Sequence, residues 1–214
     1  MNNTMKRIKH IALYMAKWVL VSLIIGVVMG TLSAFFLTSL TWVTNYRVAH
    51  PWLLLLLPIS GGVFAYLYAN YGKNASGGNN LVISGANGGQ EQVPLRLIPL
   101  TLFGTITTHL FGGSVGREGT AVQMGGAIAE AVGGLFKLSG YEREIVLISG
   151  ISAGFSSVFG TPLAGTLFGL EVLVLGKLRS EALFPSFFAA FFANAVTKLY
   201  GVTHAHYSMG VLPE

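Results

Sequence analysis

The sequence predicts an all-α, polytopic membrane protein. Only 10% of its 214 residues are charged, whereas soluble domains carry about a quarter. The mean hydropathy is +0.64, and apolar segments of membrane-spanning length recur along the chain. A surface so poor in charge cannot be covered by water, so most of it must face lipid or other parts of the protein.

The charged residues are mostly basic. Thirteen Lys and Arg face eight carboxylates, all of them Glu, for a net charge of +5. This excess is typical of cytoplasmic loops beside anionic lipid headgroups; alternatively, part of it attracts an anion. Cysteine is absent, which excludes disulfides and thiolate metal sites. The chain shows no soluble basic domain, so we expect no nucleic-acid partner.

The N-terminal region is expected to form one long helix. Residues 1–10 include Lys6, Arg7 and Lys9, and the apolar segment that follows, Ile11 to Tyr46, is too long for a signal peptide. The basic flank predicts a cytoplasmic N-terminus in the cell's inner membrane. The spacing Gly26-x-x-x-Gly30 favours close approach by a neighbouring helix.

The later segments, within 11–200, are shorter and interrupted by glycine. Spanning a bilayer takes about 20 residues, so short segments predict broken or re-entrant helices that line a cavity. A stretch rich in Gly, Asn and Ser, Gly72 to Gly89, separates two groups of them, and residues 201–214 resemble a linker. The expected segments are Trp52 to Tyr71, Pro94 to Phe111, Glu118 to Phe136, Tyr141 to Phe159, Pro162 to Leu175 and Glu181 to Tyr200.

The segment from Gly113 to Gly126 carries the strongest chemical signal. Its glycines, Gly116 and Gly119 among them, allow tight turning immediately before an apolar helix. The first turn of a helix has unpaired N–H groups and partial positive charge, which suit an anion. Glu118 at that position would compete with the anion until it is protonated. The alternative is that Glu118 only caps the helix beside Arg117.

Gly116-Arg117-Glu118-Gly119, followed by Val122-Gln123 and Gly125-Gly126, resembles a signature of the CLC family of chloride channels and transporters. In that family the matching glutamate is the external gate, so the resemblance implies that Glu118 is both gate and proton carrier. The likeness extends through Arg96 to Pro99, Gly150 to Gly154 and Pro162 to Phe168. It implies the first of two inverted-topology repeats.

Three departures from the family pattern are similar to its fluoride-exporting branch. Asn79 stands where the family has a chloride-binding serine, Thr120 replaces a proline, and Val172 replaces an internal proton-transfer glutamate, with Glu171 one position early. Each has a simpler explanation: Asn79 as a helix cap, Thr120 as neutral change, and Val172 as packing. The anion-binding residues implied are Gly78, Asn79, Asn80, Gly116, Arg117, Gly119 and Thr120.

Other polar residues are assigned lesser roles. Glu130 is expected to form a polar contact between helices, and Glu142 and Glu144 to form a solvated loop cluster with Arg143. Glu171 remains a candidate proton relay. The remaining candidates are His109 in helix packing, His204 and His206, which lack further metal ligands, and Ser114 with His109 as a remote hydrolase alternative. No metal or cofactor is expected.

The resemblance implies that residues 1–214 form the N-terminal half of a transmembrane domain. The leading hypothesis is fluoride/proton antiport, with fluoride and protons as substrates. Alternatives are a chloride/proton exchanger or channel, and a half-subunit that transports nothing without a second-half chain or C-terminal repeat. The family's dimer contacts would fall near Gly165-x-x-x-Gly169 and the cluster Phe184 to Phe192, which implies a homodimer.

Overall fold

The computed structural model describes residues 2–171 and 179–202, which form a helical bundle without strands. The side chains of residues 2–6 are outside this description. The predicted all-α class, with several helices too short to cross a bilayer, is confirmed. The α-helices are α1 (Asn2–Ala49), α2 (Leu57–Leu67), α3 (Gly78–Ala86), α4 (Leu97–Leu110), α5 (Arg117–Leu135), α6 (Tyr141–Phe159), α7 (Pro162–Glu171) and α8 (Ser180–Leu199).

Helix α1 is longer than any bilayer requires. It has 48 residues, which at about 1.5 Å per residue gives roughly 70 Å. Its side chains from Arg7 to Ala16 are exposed, and its buried face begins at Trp18. The first part of α1 therefore extends beyond the bundle, and the rest packs in it.

The segment between α1 and α4 differs from the sequence prediction. Trp52 to Tyr71 is not one α-helix: a 3-10 helix (Pro51–Leu56) precedes α2, and a π-helical turn (Tyr68–Gly72) follows it. The Gly- and Asn-rich stretch after it contains a second 3-10 helix (Lys73–Gly77) and then α3. Buried Leu81 and Val82 supply the apolar face that makes α3 helical despite its composition.

Helix α6 is the centre of the bundle. Every residue from Ile145 to Gly154 is buried, and α6 packs against α1, α5, α7 and α8. Its contact with α5 is close: an added methyl at Gly125 would overlap the carbonyl of Gly150. Small residues allow this close approach between backbones.

Helices α1 and α8 pack in the same way. A methyl group at Gly26 would lie 2.5 Å from Phe192 Cβ, and one at Gly30 would lie 2.5 Å from the Ala193 carbonyl. Thr197 donates a hydrogen bond of 3.0 Å to the Gly30 carbonyl across the same contact. The structure therefore confirms that Gly26-x-x-x-Gly30 forms a helix contact.

Buried hydroxyls also connect the helices. Ser33 and Ser157 share a hydrogen bond of 2.7 Å, and Ser156 donates one of 2.8 Å to the Ala190 carbonyl. Within residues 2–171 and 179–202, three helical stretches are long and apolar enough to cross a membrane: Arg7–Ala49, Pro51–Ala86 and Ser180–Leu199. Large apolar side chains such as Leu55 and Leu163 are exposed on the bundle, as lipid contact requires.

Candidate anion site

The N-termini of α3 and α5 lie together. Gly119 lies against Asn79, because a methyl group at Gly119 would be 3.0 Å from Asn79 Nδ2. Gly126, seven residues after Gly119 in α5, lies against Val82 of α3. Both contacts advance in the same direction, so the two helices run parallel with their N-terminal ends side by side.

Neither N-terminus is capped by a side chain. The N-cap residues are Gly77 for α3 and Gly116 for α5, and no side-chain hydrogen bond caps either helix. The first-turn N–H groups of both helices therefore have no partner in their own helix. Two partial positive charges converge at one point, and this favours an anion there.

A pocket opens on the side of α5 that faces α4. Its volume is about 480 Å³. On α5 it is lined at Gly116, Gly119, Thr120 and Gln123, positions that share one helical face. The remaining lining residues are Phe64, Tyr68, Asn79, Leu100, Thr101, Gly104, Thr105, Thr108 and Val115.

Asn79 lies in the first turn of α3, on the pocket wall. Its Oδ1 atom is buried and has no hydrogen-bond partner. The N-cap position belongs to Gly77, so the capping explanation for Asn79 is wrong. A buried acceptor without a partner costs free energy. The donors of this amide are the two N–H groups on Nδ2, the atom beside Gly119, and these are the groups that a small acceptor in the pocket would meet.

Glu118 is the second residue of α5 and its side chain is exposed. The carboxylate folds back towards the N-cap: a methyl group at Gly116 would lie 2.8 Å from Oε2. Among the described residues Glu118 forms no ion pair, with Arg117 or any other cation. The explanation of Glu118 as a capping partner of the helix finds no hydrogen bond in the structure.

The other predicted anion-binding residues are placed differently. Gly78 has φ +52° and adjoins the Gln123 amide, a backbone conformation that favours glycine. Asn80 and Arg117 have exposed side chains and do not line the pocket. The structure therefore groups Asn79 with Gly116, Gly119 and Thr120.

Sequence reasoning missed the α4 wall of the pocket. Thr101, Thr105 and Thr108 recur at helical spacing on one face of α4, and Thr105 shares a hydrogen bond of 2.7 Å with Thr120. The spacing was a visible signal, but the sequence does not say which helix this face meets. Thr120 is thus part of a specific polar contact.

Three further carboxylates, those of Glu130, Glu142 and Glu144, are engaged in ion pairs. Glu130 accepts bonds of 2.9 and 3.1 Å from Arg143 Nε, which confirms its assignment as a contact between helices. The prediction that Glu142 and Glu144 lie in a loop is wrong, although the Glu142 side chain is 40% exposed and thus solvated as expected. They lie in the first turn of α6, where Glu142 pairs with Lys17 and Glu144 with Arg179.

The alternative candidates are placed as follows. Glu171 is exposed at the end of α7, whereas Val172, His204 and His206 lie outside the described residues, as does most of the predicted linker. His109 Nδ1 donates to the Thr105 carbonyl at 3.0 Å, and Ser114 is exposed. The described part of the chain contains no group of three or more His, Asp or Glu that could hold a metal.

Gly165 and Gly169 do not form a free interface. Within the chain, Gly165 lies against Ser156 and Gly169 against Ser152 of α6. The small-residue face of α7 is therefore occupied by α6. In the other feature assigned to a dimer contact, the phenylalanine cluster of α8, Phe187 and Phe191 keep exposed side chains.

Comparison with known proteins agrees with this architecture. The family model described as voltage gated chloride channel matches residues 60–213. A chloride/fluoride channel protein of Pseudomonas syringae pv. tomato is 49% identical over 197 residues, which are 92% of this chain and 44% of that protein.

Two solved structures are also similar. A CLC-type fluoride/proton antiporter superposes with a TM-score of 0.87 at 40% identity. The match covers 93% of this chain and 50% of the antiporter chain. A slow cyanobacterial Cl⁻/H⁺ antiporter gives a TM-score of 0.72 at 26% identity, covering 87% and 47%. The chain thus spans about half the length of the relatives it matches. The chain belongs to the voltage-gated chloride channel (CLC) family and is a multi-pass membrane protein.

Proposed function

We propose that this chain provides half of the ion path of a fluoride/proton antiporter, which exports fluoride in exchange for protons. The observation that carries the proposal is the contact of the Asn79 amide with Gly119, one residue after Glu118, at the joined N-termini of α3 and α5. Two of the similar proteins have fluoride in their names, which supports the same choice of ion.

The chemistry of the pocket suits fluoride. Fluoride is small and strongly hydrated, so a site must replace lost water with strong hydrogen-bond donors. The Asn79 amide supplies two N–H donors where the serine hydroxyl would supply one. The first-turn N–H groups around Asn80, Gly116, Arg117 and Gly119 add backbone donors and positive potential, whereas the N–H of Gly78 already donates to the Ala75 carbonyl.

Glu118 couples the two ions in this proposal. Its carboxylate and the anion compete for the N-terminus of α5, because both are stabilised by the same N–H groups. Protonation removes the carboxylate's charge and releases the position to fluoride. One residue thereby opens the anion path and carries a proton, and its lack of an ion-pair partner leaves it free to do so.

The rest of the ion path is proposed to come from a second inverted repeat, as a C-terminal continuation or a separate second-half chain. This accounts for the chain covering 50% of the fluoride/proton antiporter. We further propose an inner-membrane location with a cytoplasmic N-terminus, because Lys6, Arg7 and Lys9 precede α1. Homodimerisation through the exposed phenylalanines of α8 completes the proposal.

Chloride transport is the nearest alternative, since a Cl⁻/H⁺ antiporter is also similar. Asn79→Ser tests it, with Asn87→Ser as the matched control because exposed Asn87 follows the opposite end of α3. We expect Asn79→Ser to lower the ratio of fluoride to chloride flux by about 10-fold, equal to about 1.4 kcal/mol. Ion-selective electrodes on proteoliposomes measure it; an unchanged ratio would contradict the role of Asn79.

The antiport itself is tested by reconstituting the chain in liposomes, alone and with a second-half chain, and recording fluoride efflux together with proton uptake. Proton uptake driven by fluoride, and not by chloride, supports the proposal. Fluoride efflux without proton uptake would indicate a channel. Absence of flux in both preparations would support the non-transporting half-subunit.

A further inference from the structure

The pocket contains a pair of buried hydroxyls that the gate does not use. Thr105 is 4% exposed and Thr120 is 3% exposed, and both line the pocket. Their Oγ1 atoms are 2.7 Å apart, and either hydroxyl can be the donor. Because α4 carries one and α5 the other, the hydrogen bond crosses the helix contact.

One of the two hydroxyl protons of this pair is not used in the bond between them. Two hydroxyls bring two protons, and the bond between them uses one. Among the described residues, neither hydroxyl has a second hydrogen-bond partner. By contrast, Thr108 and Thr166 each donate to the backbone carbonyl four residues earlier. The second proton of the Thr105–Thr120 pair is therefore available to an acceptor in the pocket.

The surroundings supply further donors. The pocket of about 480 Å³ also exposes the hydroxyl-bearing Thr101 and the amides of Asn79 and Gln123. Among the described residues, no carboxylate lines it. A cavity rich in hydroxyls and amides, without a negative charge, suits a small anion better than a cation.

This face is distinct from the gate position. Thr120 lies two residues after Glu118, so about 200° of helix rotation separates the two side chains. Glu118 folds towards Gly116 and is exposed, whereas Thr120 is buried against α4. An anion at the hydroxyl pair does not have to displace the Glu118 carboxylate.

We propose that Thr105 and Thr120, with Asn79 and Gln123, form a second fluoride-binding position in the pocket between α4 and α5. It rests on the proposed fluoride transport and adds a specificity-determining hydroxyl pair to it. The hydroxyl proton that the pair does not use replaces part of the ion's hydration shell, and the amides of Asn79 and Gln123 contribute on the α3 and α5 sides. Fluoride is favoured over the larger chloride because short hydrogen bonds from hydroxyls compensate its dehydration.

The test is titration of the purified chain in lipid nanodiscs with sodium fluoride and, separately, sodium chloride, followed by calorimetry. Thr120→Val and Thr105→Val remove one hydroxyl each with little change of volume. Thr120→Ser restores the hydroxyl without the methyl group. Thr166→Val is the matched control, because this buried hydroxyl bonds to a backbone carbonyl outside the pocket.

We expect the double variant Thr105→Val/Thr120→Val to weaken fluoride binding by at least about 10-fold, because no hydroxyl donor to the ion is left. Each single variant keeps one hydroxyl proton, which the lost Thr105–Thr120 bond no longer uses, so its fluoride affinity should fall less than that of the double variant. Thr120→Ser and Thr166→Val should bind as the unaltered chain does. Chloride binding should change by less than about 2-fold, because the pair is assigned to fluoride.

Three results would overturn the inference. Fluoride affinity unchanged in the double valine variant removes the hydroxyl pair from the site while leaving antiport intact. An equal loss for chloride removes the assignment to fluoride. An unaltered chain that binds no fluoride contradicts both this site and the proposed function, whereas hydroxyl-dependent fluoride binding without coupled proton flux contradicts only the antiport.

Discussion

The two ends of α5 carry the same residue type in opposite circumstances. Glu118, in the first turn, is exposed and has no ion-pair partner among the described residues. Glu130, towards the other end, is 14% exposed and is bonded through both carboxylate oxygens to Arg143. One carboxylate has no partner among the described residues, and the other is held by an arginine on the neighbouring helix.

Arg143 holds the end of α5 that carries Glu130. Besides Glu130, its guanidinium donates to the carbonyls of Gly89 at 2.7 Å and Glu91 at 2.8 Å. It therefore joins α5 and α6 to the loop after α3. We call this set of hydrogen bonds from Arg143 the Arg143 clamp. Among the described residues, the pocket end of α5 has no comparable set of bonds, and Asn79 Oδ1 lies buried there without a partner. The difference is that the Glu130 end of α5 is held by hydrogen bonds between side chain and backbone, whereas the polar side chain of Asn79 at the pocket end keeps bonding capacity that the described residues do not use.

The largest expected effect on stability comes from removing the hydrogen bonds of the Arg143 clamp. Arg143→Leu would leave the Glu130 carboxylate and two carbonyls without their donor, at a cost of about 3 kcal/mol in the free energy of unfolding. Thermal unfolding in detergent measures it. Glu118→Gln is the matched control on the same helix, expected to change stability by less than about 0.5 kcal/mol.

Removing the charges of Arg143 and Glu130 together gives a second, stricter test of the clamp. Arg143→Leu combined with Glu130→Leu no longer buries an unpaired charge, so the double variant should be more stable than Arg143→Leu alone. Equal losses for Arg143→Leu and Glu118→Gln would show that the two ends of α5 do not differ as described.

The smallest effect is expected at Lys17. Its amine contacts Glu142 at 2.6 Å, but the two side chains are 36% and 40% exposed. Solvent screens such a pair, so Lys17→Ala should cost less than about 1 kcal/mol. The same unfolding measurement compares it with Arg143→Leu; a loss as large as that of Arg143→Leu would make the Lys17 pair part of the clamp.

The sequence was most informative where the signal is local. Helix α6 has the predicted bounds of Tyr141 and Phe159, and α5 begins one residue before the predicted Glu118. Apolar runs and glycine breaks carry this information within a few residues. The contact at Gly26 and Gly30 also follows from their spacing.

It was least informative where partners are far apart in the chain. Lys17 and Glu142 are 125 positions apart, and Arg143 and Gly89 are 54 apart. The sequence alone therefore does not show that the charged residues at the start of α6 have these partners. Helix α3 was hidden because Gly and Asn have poor helix propensity, which burial of Leu81 and Val82 overcomes. The threonine face of α4 was visible, but its meeting with Thr120 depends on how α4 and α5 pack.

The most direct test of the central claim compares the two glutamates of α5 in one assay. Fluoride efflux and proton uptake are recorded together in proteoliposomes for Glu118→Gln and Glu130→Gln, each with a second-half chain and normalised to folded protein. The account predicts that Glu118→Gln loses fluoride-driven proton uptake, whereas Glu130→Gln is less stable but keeps the coupling. Unchanged proton uptake in Glu118→Gln, or coupling lost in Glu130→Gln alone, would contradict it.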